Sequence, residues 1–156
     1  NSNVTSIKCE SFLGLNSLAS IELPAGLKTI STRTFAGCRS LASLELPAGL
    51  TSINNWAFHG CEGLTSIDLP AGLTSIVAGA FTNCSRLASI TIPSSITSIG
   101  EYAFAGCSRL ASIELPAGLT SIRIGASGFW GSSSPASVAM QSSALGFSVV
   151  VVVSPL

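Results

Sequence analysis

Four cysteines recur 23 residues apart, Cys38, Cys61, Cys84 and Cys107, and a fifth, Cys9, falls outside that column. Cysteine chemistry would mean a metal, a disulfide or a nucleophile. Zinc sites draw on local pairs such as Cys-x-x-Cys, often with histidine. The chain has no such pair, and His59 is its single histidine. Disulfides need Cβ vectors that face each other, whereas copies stacked about 4.8 Å apart point theirs in parallel. The column therefore reads as reduced thiols stacked in a core, as suits one of the most buried residue types. Cys9 is the candidate reactive or intermolecular thiol, or a plain exposed one. His59 stands where sister copies hold Ala or Thr, which reads as a solvent-facing variant position. No GxSxG, Walker loop, GxGxxG, HExxH or paired-carboxylate arrangement accompanies it, so no enzyme, cofactor or metal centre is expected.

Glu22, Glu45, Asp68, Thr91 and Glu114 occupy one outward position of successive copies. Stacked at coil spacing, the four acids Glu22, Glu45, Asp68 and Glu114 form a discontinuous stripe. Such a stripe is either a solvated strand face or a site for a cation or a basic partner. Like charges that close repel, so the stripe costs stability unless something neutralises it. Hydroxyls form further files: Thr5, Thr51, Thr74, Thr97 and Thr120, with Ser6, Thr29, Ser52, Ser75, Ser98 and Ser121 beside them, and Ser20, Ser43, Ser66, Ser89 and Ser112 as a third. Flat hydroxyl arrays can serve solubility, match ice, carry O-linked sugar or dock a neighbour. Two N-glycosylation sequons begin at Asn3 and Asn83.

The elements that must hold these columns follow from the same period. Phe12, Phe35, Phe58, Phe81 and Phe104 fall on it, as do Pro24, Pro47, Pro70, Pro93 and Pro116. Each unit opens with an alternation such as Leu44–Glu45–Leu46, the period of a short strand with one buried face. Proline then ends the strand, and a glycine (Gly26, Gly49, Gly72, Gly118) is expected to supply a corner tolerant of positive φ. A second extended piece, Leu-Thr-Ser-Ile, leads into a segment ending Ala-Phe-x-Gly-Cys. That segment predicts one helical or 3₁₀ turn on the convex side with Phe driven into the core. Gly37, Gly60, Gly106 and their counterpart Asn83 predict a left-handed position just after it. A strict period between 20 and 29 with leucine and isoleucine at set offsets marks a leucine-rich-repeat solenoid. The expected fold is an α/β-type repeat solenoid, a right-handed stack of about five to six coils with short parallel strands. The Phe and Cys columns form its core ladder.

The stretch Leu87–Cys107, Leu-x-x-Ile-x-Ile-Pro-x-x-Ile-Thr-x-Ile-Gly-x-x-Ala-Phe-x-x-Cys, resembles the BspA-type (Treponema pallidum type) leucine-rich repeat. The resemblance covers roughly residues 4–122. It implies a surface or secreted protein used in adhesion and binding. The copies here are unusually uniform, which favours a function that uses the repeat itself.

Hydrophobic residues make up 47% of the 156, and charged residues only 9% with no net charge. Nucleic-acid binding lacks its basic footprint, and no apolar run reaches the roughly 18–20 residues of a membrane span. Residues 1–122 form the regular solenoid. Residues 123–156 read as a degenerate last coil and an apolar tail. In that coil a two-residue insertion at Arg123–Ile124 puts Val138 in the place of Ile113. The run Val149, Val150, Val151, Val152 and Val153 is apolar on both faces and needs cover. It either seals its own stack or pairs with the N-terminal coil of another molecule, and the latter contact would build a filament. The expected function is a non-catalytic extracellular scaffold acting by contact: a self-associating fibre or surface layer, or a monomeric adhesion module using the acidic face. Ice binding is a further alternative. Expected partners are another copy of the chain, a host or matrix protein, or a glycan, with no cofactor.

Overall fold

The computed structural model describes residues 3–110, 112–122 and 137–140. Its strands follow in chain order as β1 (Ser6–Ile7), β2 (Thr29–Ile30), β3 (Ser52–Ile53), β4 (Ser66–Asp68), β5 (Ser75–Ile76), β6 (Ser89–Thr91), β7 (Ser98–Ile99), β8 (Ser112–Leu115), β9 (Ser121–Ile122) and β10 (Ser137–Met140). Every ladder is parallel. β1, β2 and β3 pair in sequence, as do β5, β7 and β9, with Ile7 opposite Ile30 and Ile30 opposite Ile53. Parallel pairing at a constant offset of one repeat is a solenoid: each coil hydrogen-bonds only to its neighbours. β8 pairs β10 with Val138 opposite Ile113, the register that the inserted pair of residues predicts.

The core is a set of columns running along the stack. Leu27, Leu50, Leu73 and Ile96 form one, Leu41, Leu64 and Leu87 another, and all are buried. Between them run the phenylalanines. Phe12, Phe35, Phe58, Phe81 and Phe104 stack face to face at centroid separations of 5.2, 5.5, 5.4 and 5.7 Å, with planes within 5°. The repeat sets this parallel stacking, because successive rings inherit one rotamer and one coil rise. Phe12 is half-buried and, among the described residues, has a ring on one face only.

The thiols serve the same stack. Each of Cys38, Cys61, Cys84 and Cys107 donates its S–H to the carbonyl of the phenylalanine one coil back, at 3.0–3.1 Å. Those carbonyls already accept a turn N–H, as Phe35 does from Cys38, and the sulfur takes the second lone pair. Burial pushes the Cys61 and Cys107 thiols from 9.0 up to about 12, and raises Cys38 and Cys84 as well. All five cysteines are free, and Cys9 alone is exposed. In native buffer an aromatic disulfide reagent should therefore titrate Cys9 quickly and the other four only on unfolding; fast modification of two or more would contradict the core placement. The pH sign follows from the raised values. The folded chain holds protons that the unfolded chain releases, so this stability is whole below pH 9.0 and is lost as pH climbs toward about 12.

Two expectations about the corners change. Among the described residues there is no helix where the Ala-Phe-x-Gly-Cys segment was expected to turn helical. Residues there alternate between two bonding modes. Thr34, Ala36 and Cys38 donate to the residue three back, whereas Arg33, Phe35 and Gly37 donate to Asn55, Ala57 and His59 of the next coil. A helix would use every N–H internally; here half of them tie coils together. The alternation bends through left-handed residues at two columns. One is the expected column of Gly14, Gly37, Gly60, Asn83 and Gly106 (φ 60–75°), and the other holds Glu10, Arg33, Trp56, Gly79 and Tyr102 (φ 55–65°).

The glycines after proline, in contrast, do not have positive φ at Gly49, Gly72 or Gly118. The corner is a β-turn closed by Leu50 N–H on Pro47 C=O, and its third residue needs no left-handed backbone, as in type I. Space explains the residue type at Gly72, where a Cβ would come within 2.8 Å of the Leu50 carbonyl in the preceding coil. Ser95 takes the equivalent place in the next coil and turns the encounter into a hydrogen bond, donating its hydroxyl to Leu73 C=O at 2.5 Å.

Candidate functional site

The acidic file lies on the strand face. Glu22, Glu45, Asp68 and Glu114 are all exposed, flanked by half-buried or buried leucine and isoleucine that point the other way. Strand alternation produces this: inward residues join the core columns, and outward ones line up from coil to coil. Asp68 stands opposite Thr91 in the β4–β6 ladder, and Glu114 opposite Ala139 in the β8–β10 ladder.

The expected strand at Leu44–Glu45–Leu46 keeps its alternation but forms no ladder. Ala42 N–H reaches Ala19 C=O at 3.4 Å, and Thr65 N–H reaches Ala42 C=O at 3.2 Å, after which the segments part. Grooves of about 630 Å³ and 460 Å³ open there, the first between Ser20–Leu23 and Ser43–Gly49, the second between Ser43–Leu46 and Ser66–Asp68. Each groove separates two carboxylates, Glu22 from Glu45 and Glu45 from Asp68. Both ladders of this face set a carboxylate against an uncharged residue. Like charges directly opposite destabilise a strand pair modestly, but charge alone does not set the break: among the described residues β6 and β8, which bring Thr91 beside Glu114, form no ladder either.

Hydroxyls of the threonine file point along the stack. Thr51, Thr97 and Thr120 donate to Lys28, Thr74 and Thr97 carbonyls one coil back, at 3.2, 3.2 and 3.0 Å. Their donors are spent on the protein's own backbone.

The sequence matches the family described as BspA type leucine rich repeat region, in six copies over residues 1–87. The chain belongs to this BspA-type leucine-rich-repeat family. Solved relatives of the BspA-type chain agree in fold. The T. pallidum leucine-rich-repeat protein is 33% identical with a TM-score of 0.71, covering 76% of this chain and 62% of its own. A leucine-rich cell surface protein from Faecalibacterium prausnitzii is 31% identical with a TM-score of 0.75, covering 91% and 38%. A leucine-rich-repeat protein from Bacteroides ovatus is 30% identical with a TM-score of 0.71, covering 83% and 40%. The BspA-type chain thus spans less than two thirds of the length of each. No curated protein matches it. Among the described residues no helix is long and apolar enough to cross a membrane.

The remaining sequence-derived candidates scatter. Asn3 and Asn83 are both exposed, and Asn83 lays its side chain where a Cβ on Gly106 would sit. Val149, Val150, Val151, Val152 and Val153 lie outside the described residues. His59 is half-buried rather than solvent-facing: its ring meets Trp56 edge-on at 5.5 Å, and its Nδ1 is buried without a partner. Desolvation, then the nearby Arg33 charge, lowers its pKa. Sequence reasoning missed this contact because the two residues touch through the unforeseen left-handed bend at Trp56.

Proposed function

We propose that this BspA-type chain is a non-catalytic cell-surface scaffold that works by contact, and that its strand face receives a partner with a basic surface. The observation that carries the reading is the run of exposed carboxylates Glu22, Glu45 and Asp68 along the grooved part of that face. A cationic partner seated over Glu22, Glu45 and Asp68 would relieve the repulsion between neighbouring carboxylates, and that relief adds to its binding. The cell-surface description of the F. prausnitzii relative supports the location.

The experiment is retention of the chain on immobilised basic matrix proteins across a salt series, with Glu45→Lys and Asp68→Lys combined. The parent should be retained and should elute with rising salt, while the double variant should pass through. Glu45→Gln should also raise stability by about 0.2–1 kcal/mol, since it removes one like-charge neighbour on each side. Equal retention of parent and double variant would refute the reading.

A further inference from the structure

Three adjacent columns break the uniformity of the repeat. They hold Lys8, Ser31, Asn54, Val77 and Gly100; Cys9, Thr32, Asn55, Ala78 and Glu101; and Glu10, Arg33, Trp56, Gly79 and Tyr102. No residue type recurs within any of the three, whereas every other column repeats at least one. Where copies are otherwise near-identical, variation confined to one edge means that its side chains are not dictated by the core columns, although Arg33 pairs with Glu10 of the preceding coil at 3.6 Å. All of these residues except Gly79 are at least partly exposed.

The third column carries a second sign. Its backbone is left-handed in all five coils, yet four of them place a side chain there: Glu10, Arg33, Trp56 and Tyr102. The companion left-handed column meets the same demand with glycine or asparagine, which are at ease in that conformation. A Cβ-bearing residue is strained in that region, so these side chains are retained against the backbone's preference. Strain held at an exposed position is a mark of function in the side chain.

The edge also contains a cleft. An open groove of about 530 Å³ is lined by Asn55, Ser75, Val77, Ala78, Ser98 and Glu101. Trp56 and Tyr102 continue directly from Asn55 and Glu101 along the chain. The Trp56 ring lies across Gly79, where an added Cβ would collide with it, so this coil's glycine makes room for the indole of the coil before.

We propose that this edge is a carbohydrate site that takes a neutral pyranose unit of a glycan. The donor set matches vicinal hydroxyls: an amide that gives and accepts, a carboxylate that only accepts, and two serine hydroxyls that do both. Val77 and Ala78 offer the apolar surface that a sugar's C–H face requires, with Trp56 and Tyr102 next in the chain to two of the lining residues. No lysine or arginine lines the cleft, and Glu101 repels anions, so phosphates, nucleotides and acidic sugars are disfavoured. The volume suits one or two sugar rings, within the usual range for small-ligand sites. The site is separate from the strand face and does not rest on the reading proposed for it.

The test uses the full chain on an array of neutral, sialylated and sulfated oligosaccharides, followed by NMR titration with the strongest neutral glycan retained. Retention of a neutral glycan is expected, with shifts confined to residues 54–56, 75–79 and 98–102. Tyr102→Ala and Glu101→Gln, both at exposed side chains, should each weaken binding about tenfold with the melting temperature unchanged. The Asp68→Lys variant should bind the glycan as the parent does. No neutral glycan bound at millimolar concentration, retention of acidic glycans alone, or affinity indifferent to both edge variants would overturn the proposal. So would a protein partner captured through these residues in place of any glycan.

Discussion

Phe81→Ala should cost about 3–5 kcal/mol and lower the melting temperature by roughly 10 °C. Phe81 is 1% exposed and lies between Phe58 at 5.4 Å and Phe104 at 5.7 Å. Truncation leaves a ring-sized void that the neighbours cannot close. Their backbones are pinned by inter-coil bonds, including Phe58 N–H to Ala80 C=O and Phe81 N–H to Ala103 C=O. Two stacked contacts vanish together. Phe12→Ala is the internal control. Phe12 is half-buried and, among the described residues, stacks on Phe35 alone, so its loss should cost well under half as much. Urea melts of both variants read the difference directly. Equal destabilisation, or a Phe81 variant that melts like the parent, would mean the ring column does not carry the stack.

Gly79→Ala should cost about 2–4 kcal/mol from two separable sources. The backbone at Gly79 has φ of +65°, where a Cβ is strained, and that Cβ would meet Trp56 ring atoms at 2.3–2.6 Å. The strain belongs to Gly79 alone, whereas the collision belongs to the pair. In a Trp56→Ala background the same substitution should therefore cost only the strain, about 1–2 kcal/mol. A double-mutant cycle by chemical denaturation measures the coupling. Additive costs would show that the indole swings clear without penalty and that Gly79 is there for its backbone only. The cycle also bears on the proposed sugar site, since it tests whether the ring is held across Gly79 before any ligand arrives.

What the sequence determined by itself was whatever a column of identical residues can state. Leucine, isoleucine and phenylalanine repeated at one period must share one environment, and so the solenoid, its parallel register and its core follow. The register at Val138 follows as well, through the insertion. The acidic file was readable as a line of outward residues by simple alternation. Left-handed glycine positions at Gly37 and Gly60 were readable too, because glycine and asparagine advertise that conformation. The left-handed column at Glu10, Arg33, Trp56 and Tyr102 was not, for those side chains carry no such signal and inter-coil hydrogen bonds impose it. The same long-range bonding replaced an expected helical turn with alternating bonds. Only the tertiary structure decided that Gly72 is small to clear a carbonyl, that each thiol bonds a phenylalanine carbonyl one coil back, and that the strand face opens between Glu22, Glu45 and Asp68. Each of these depends on what the next coil places opposite a residue, and that distance is set by the stack, not by neighbours in the chain.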